Sequence, residues 1–133
     1  MPVHPLACIA ATLALTLVSA AHAEDCSKAA TQTDINQCAG RNYEAADKVL
    51  NDVFEKAIAK AKQNDHEVEE GAKYSYEEAL RTAQRAWIAF RDADCAQPPR
   101  ELAGSISTMD QLDCMTDRTT ERTDELKGDV SDQ

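Results

Sequence analysis

The chain has 133 residues and a formal net charge of −10, enough for one small domain with a modest core and no room for a second. Acidic side chains outnumber basic ones, 24 to 14, which argues against nucleic acid as a partner, because phosphate backbones are held by lysine and arginine patches. The same balance favours a basic protein partner and keeps a small protein soluble.

The apolar run Leu6 to Ala21 ends in Ala21-His22-Ala23, a small-x-small pattern accepted by signal peptidase. It predicts a cleaved signal peptide over 1–23, a mature start at Glu24, and a periplasmic or secreted location. The run is too short to span a bilayer. Cys8 precedes most of it, whereas a lipidated cysteine follows such a run, so no membrane anchor is expected after cleavage. Four cysteines remain, Cys26, Cys38, Cys95 and Cys114, and an even number in an oxidising compartment predicts a disulfide framework. Spacing admits three pairings. Cys26 with Cys38 and Cys95 with Cys114 are favoured because each closes a short local loop. Zinc sites use close-set ligand pairs, and these cysteines are scattered with no histidine nearby, so no metal and no cofactor are expected.

Between Glu24 and Gln97 there is no proline, and no stretch alternates apolar with polar residues, so helices are predicted throughout. Thr31 and Thr33 are candidate N-caps of a first helix. It carries Ile35, Ala39, Ala46, Leu50, Val53, Phe54, Ala57 and Ala61 at three- and four-residue steps and ends near Gln63. Gly40 makes a break near residues 40–42 an alternative. Asn64 to Lys73 is polar and reads as a connector. Ser75 followed by Glu78 is a capping box, and Tyr76, Leu80, Ala83, Trp87 and Phe90 then mark one face of a second helix ending near Cys95. Pro98-Pro99 stops it, and Ala96 to Ser107 forms a loop. A third helix begins near Thr108, with Met109, Leu112, Met115, Thr119 and Leu126 inward, and Gly128 onward reads as a frayed tail. The expected fold is all-α, a small antiparallel bundle of three helices with two disulfides. Residues 24–127 form the domain and 128–133 a disordered tail. Helix one packs on helix two, helix three lies across the end, and Leu50, Phe54, Leu80, Trp87 and Phe90 form the core. This topology gathers all four cysteines at one end, which leaves the other pairings open.

The stretch Ala83-Gln-Arg-Ala-Trp-Ile-Ala-Phe-Arg-Asp-Ala-Asp-Cys95 resembles the signature of the LprI-like lysozyme inhibitor family. Cys26-Ser-Lys-Ala-Ala-Thr-Gln-Thr-Asp-Ile-Asn-Gln-Cys-Ala39 is similar to the family's opening block. Tyr43 to Asn51 is similar to its Ala-Asp-x-x-Leu-Asn segment, and Gly104-Ser105 with Met109, Cys114, Thr119 and Arg122 to its close. The resemblance covers nearly the whole mature chain. It implies a helical fold, and an activity in keeping with the lysozyme-inhibiting member that gave the family its name.

Two sets of residues are candidates for function. Gln84, Arg85, Trp87, Arg91 and Asp92 share the family motif on helix two. Trp and Arg are common at binding hot spots, but a partly buried Arg91 needs a carboxylate, and Asp47 on the inner stripe of helix one is its expected partner, so the motif reads as structural. The loop, with Arg100, Glu101, Ser105, Ile106 and Ser107, is the candidate partner-binding surface. A disulfide between Cys95 and Cys114 would tie it at both feet, and two prolines stiffen it, which lowers the ordering cost of presenting it to a partner. Arg100 or the serine hydroxyls can hydrogen-bond the paired carboxyl groups of a glycosidase cleft. No nucleophile elbow, HExxH or phosphate loop is present, and the only histidine beyond the leader is His66 in the acidic connector. The expectation is therefore a non-enzyme: an exported inhibitor occluding the cleft of a basic lysozyme, or alternatively an envelope interaction module with another protein partner.

Overall fold

A computed structural model describes residues 23–67, 73–96, 104 and 106–131. The predicted leader, apart from Ala23, lies outside the described residues, as do most of the proline-containing loop and the last two residues of the expected tail. A short 3-10 turn, Cys26–Lys28, precedes three helices: α1 Gln32–Glu67, α2 Tyr76–Asp94 and α3 Ile106–Ser131. Ahead of the turn, Glu24 is clamped against α1. Its amide donates to Asn42 Oδ1 at 2.7 Å, its carbonyl accepts from Asn42 Nδ2 at 3.1 Å, and its carboxylate pairs with Arg41 at 2.8 Å.

Thr31 caps α1 in a reciprocal box, its hydroxyl accepting from the Asp34 amide at 3.2 Å while the Asp34 carboxylate accepts from the Thr31 amide at 3.2 Å. The helix passes through Gly40 without a break and runs four residues beyond Gln63. Those extra residues matter, because Asp65 accepts hydrogen bonds from the Tyr76 and Glu77 amides and the Ser75 hydroxyl, at 2.6, 3.2 and 2.9 Å. A carboxylate on the last turn of α1 thus satisfies the orphan amides at the start of α2. Ser75 is the N-cap of α2, as its box with Glu78 predicts.

The residues in contact give the topology. Arg91 reaches Thr119, Arg118 reaches Asp94 and Arg122 reaches Gln84, so α2 and α3 are antiparallel. Asp47 meets Arg91 and Asp65 meets Tyr76, so α1 and α2 are antiparallel too. Helices α1 and α3 therefore run parallel and side by side, and the Lys60 ammonium donates to the Asp129 and Val130 carbonyls at 3.3 and 3.2 Å. This corrects the placement of the third helix across the bundle end: α3 lies along α1, and theirs is the most extensive helix packing in the fold. The reason lies in its threonines. Thr116, Thr120 and Thr123 donate to the carbonyls four residues back, at 2.8 to 2.9 Å, so their hydroxyls are satisfied and their methyls are free to pack. A segment that is polar by composition thereby offers small apolar surface to the alanine-rich stripe of α1. Val130 packs on the core beyond Gly128 and extends the helix into the expected tail.

The core is Leu50, Val53, Ala57 and Leu126, with Phe54, Leu80, Trp87 and Val130 packed against it. Phe90, expected there, is 55 % exposed, and Tyr76 is 42 % exposed. The inward stripe of α2 is Leu80, Gln84, Trp87 and Arg91, equally good helical spacing but rotated about the axis from the apolar stripe. Both disulfides join the favoured partners, Cys26 to Cys38 and Cys95 to Cys114.

Replacing Leu126 by Ala should cost about 2–5 kcal/mol in urea unfolding, and Phe90 by Ala no more than about 0.5 kcal/mol; equal losses would contradict this assignment of the core. Burial raises the Asp65 pKa, but its three hydrogen bonds and the charge of His66 outweigh that, and the carboxyl lies below its ordinary value. Its contribution is present above the unfolded pKa near 4 and is lost as pH falls through the lower folded value. Acidification below about pH 4 should therefore destabilise the wild-type protein more steeply than Asp65→Asn, and parallel pH profiles of the melting temperature would show that Asp65 carries no such load.

Candidate functional site

The family motif on α2 divides between two sides of the helix. Inward, Arg91 is only 5 % exposed and touches all three helices. Its Nη1 lies 3.4 Å from Asp47 Oδ1 of α1 and 3.3 Å from Thr119 Oγ1 of α3, while Nε and Nη2 donate to Asp92 Oδ1 at 3.0 and 2.9 Å. The guanidinium also lies over the rings of Tyr43 and Trp87, with centroids 5.4 and 5.2 Å away. A buried cation is tolerable only with such company: carboxylates for its charge, acceptors for its N–H groups and aromatic faces for the rest. Burial pushes the Tyr43 phenol above its ordinary pKa, against the opposing charge of Arg91. Gln84 is buried as well, and its Oε1 accepts from Arg122 Nε at 3.1 Å.

Outward, Arg85 and Ile88 are exposed, one helical turn apart. The geometry thus gathers Asp47, Gln84, Trp87, Arg91 and Asp92 into or beside one polar cluster and leaves Arg85 out of it. Thr119 and Arg122 complete that cluster from α3. Thr119 is legible as an inner-face residue from its spacing, but nothing in the sequence pairs either residue with α2.

Of the loop candidates, Arg100, Glu101 and Ser105 lie outside the described residues. Ile106 opens α3 and is 49 % exposed. Ser107 is buried, and its hydroxyl donates to the carbonyl of Gly104 at 2.8 Å, which turns it towards its own helix start rather than a partner. Gly104 has φ +69°, the left-handed region that glycine adopts at little cost. The Cys95–Cys114 disulfide joins the end of α2 to the third turn of α3, with Cα atoms 5.6 Å apart, and Cys95 is wholly buried. Asp94, Cys95 and Cys114 form the one ligand-type cluster among the described residues, and both sulfurs are bonded to each other, leaving no thiolate for a metal. Among the described residues no helix is long and apolar enough to cross a membrane.

Replacing Arg91 by Ala removes the shared partner of two carboxylates and opens space between two rings. Because Asp47 and Asp92 keep some solvent, the expected cost is roughly 2–3 kcal/mol, short of the value for a fully buried pair; an unchanged denaturation midpoint would show that the cluster does not hold α2.

Comparison with known proteins agrees with this framework. Residues 23–126 match the family described as Lysozyme inhibitor LprI. An uncharacterised protein of Rhizobium meliloti is 41 % identical over 106 residues, covering 77 % of this chain and 76 % of that protein. No solved structure matches. With a family match over nearly all of the helical domain and a relative of this identity, the chain belongs to the LprI lysozyme inhibitor family.

Proposed function

We propose that this protein is an exported inhibitor of a muramidase, acting by occlusion of the enzyme's substrate cleft. The observation that carries the reading is membership of an inhibitor family over residues 23–126, nearly all of the helical domain. The apolar leader and the two disulfides support export to an oxidising compartment.

The reading agrees with the physical form of the molecule. A retaining glycosidase places two carboxyl groups about 5–5.5 Å apart across the scissile bond, and an occluding element has to enter that cleft without losing much entropy. The segment 97–105 lies within the span that the Cys95–Cys114 disulfide closes, a sequence separation of 19, and contains Pro98 and Pro99; covalent closure and prolines both lower the ordering cost of presenting a segment to a partner. Arg100 and Ser105 supply groups able to hydrogen-bond carboxyls, and Ile106 supplies apolar surface at the loop's edge. The net charge of −10 would speed encounter with a basic enzyme and make the association rate fall with salt.

The expected result is stoichiometric loss of peptidoglycan turnover by a chicken-type or goose-type lysozyme when the oxidised protein is added. The inhibition should be absent with the reduced protein and weakened by Arg100→Ala or Ser105→Ala. Full turnover by both enzymes at a molar excess of the oxidised protein would contradict it.

A further inference from the structure

Arg85 stands apart from the other described arginines. Arg41 pairs with Glu24, Arg81 with Glu77, Arg91 with Asp47 and Asp92, Arg118 with Asp94 and Glu121, and Arg122 with Glu125. Among the described residues no carboxylate lies within ion-pair distance of Arg85, although the chain has 24 acidic residues. Among the described residues its one hydrogen bond is from Nη2 to Thr82 Oγ1 at 2.9 Å, within its own helix. That contact leaves most of the planar fork of N–H donors facing solvent.

The surroundings are those of a binding anchor. Arg85 lines a shallow groove between α1 and α2 with Asn51, Phe54, Arg81, Gln84 and Ile88. Ile88 is 39 % exposed, and Phe54 is half-buried at the edge of the core. Arg81 of the same groove is paired with Glu77, and Arg85 beside Phe54 and Ile88 combines the residue types common at hot spots, where neighbouring contacts exclude water from the charged one. Charge then selects the occupant. A small free anion is repelled by a protein carrying −10, so the fitting partner is basic overall yet presents carboxylates at one concave place. A guanidinium fork is the side chain best matched to a carboxylate or a close carboxylate pair.

We infer that Arg85, flanked by Ile88 and Phe54, is the group that meets a carboxylate of the muramidase cleft. Arg85 lies ten residues, about 15 Å of helix, from the loop's foot at Cys95. This inference rests on the inhibitor reading. Gln84 and Arg91 of the same motif face inward and hold the bundle, whereas Arg85 faces the partner.

The test is inhibition of a chicken-type and a goose-type lysozyme by oxidised wild-type, Arg85→Glu, Arg85→Lys and Lys56→Glu proteins, with a melting curve for each. Lys56 is exposed on α1, and its substitution makes the same change in net charge. Expected are a loss of at least about tenfold in inhibition for Arg85→Glu, partial retention for Arg85→Lys, and a change within about twofold for Lys56→Glu, with melting temperatures unchanged. Should Arg85→Glu melt below wild type, Arg85→Ala takes its place with the same expectation. Undiminished inhibition by the Arg85 variant, or an equal loss for Lys56→Glu, overturns the role of Arg85 while the inhibitor reading stands. No inhibition by the wild-type protein overturns both.

Discussion

The attachment of α2 depends on one buried guanidinium. Helices α1 and α3 hold each other through Leu50, Val53, Ala57 and Leu126, but the buried residues of α2 are Gln84 and Arg91. Besides Leu80 and Trp87 against the core, its place is set by polar and covalent links: Arg91 to Asp47 and Thr119, Gln84 to Arg122, and Cys95 to Cys114. The buried ion pair adds little net stability over an apolar substitute once desolvation is counted, yet removing one of its partners is costly. A rotation of α2 that brought Phe90 inward would expel Arg91 from its two rings and leave Asp47 without its partner.

This manner of attachment connects fold to function. With the inward stripe given to the polar cluster, and with Asp65 at one end and the disulfide at the other, α2 is restrained along its length and its opposite side stays open. Ala83, Ala86, Ala89 and Phe90 are all exposed, as are Arg85 and Ile88. A surface on a restrained helix loses little entropy on binding, which is the general requirement for an inhibitor that works by fit and charge. On the proposed reading the overall negative field brings a basic enzyme close, and Arg85, which has no carboxylate partner among the described residues, meets an anionic spot on it.

Much of this fold was legible in the residues alone. The Ser75 to Glu78 capping box, the helical periodicity of α1 and the short loops closed by the cysteines are local signals, and the structure follows each of them. The departures come from long-range satisfaction of polar groups. Apolar residues usually lie inside, which favours Phe90 and Tyr76, but Arg91 instead occupies that place between two rings, a threonine and two carboxylates drawn from all three helices. The simplest antiparallel topology lays the third helix across the bundle end, whereas its threonines Thr116, Thr120 and Thr123 satisfy their hydroxyls within the helix and leave it able to lie along α1. Asp65 was read as part of a solvated connector, and its role as the cap of α2 emerges only once the chain has turned back. The pairing of Arg91 with Asp47 was foreseeable because a cation beside a buried tryptophan needs a carboxylate within reach. The outward exposure of Arg85 depends on which stripe α2 turns inward, and so was not.

Hydrogen–deuterium exchange of the oxidised protein, alone and with an equimolar chicken-type lysozyme, tests the account most directly. Recognition through the loop and the outer side of α2 predicts slower exchange over residues 81–88 and 97–107 in the complex, with α1 outside residues 51–54 and the C-terminal half of α3 unchanged. Exchange that is the same in both samples, or protection confined to α1 and α3, would contradict it.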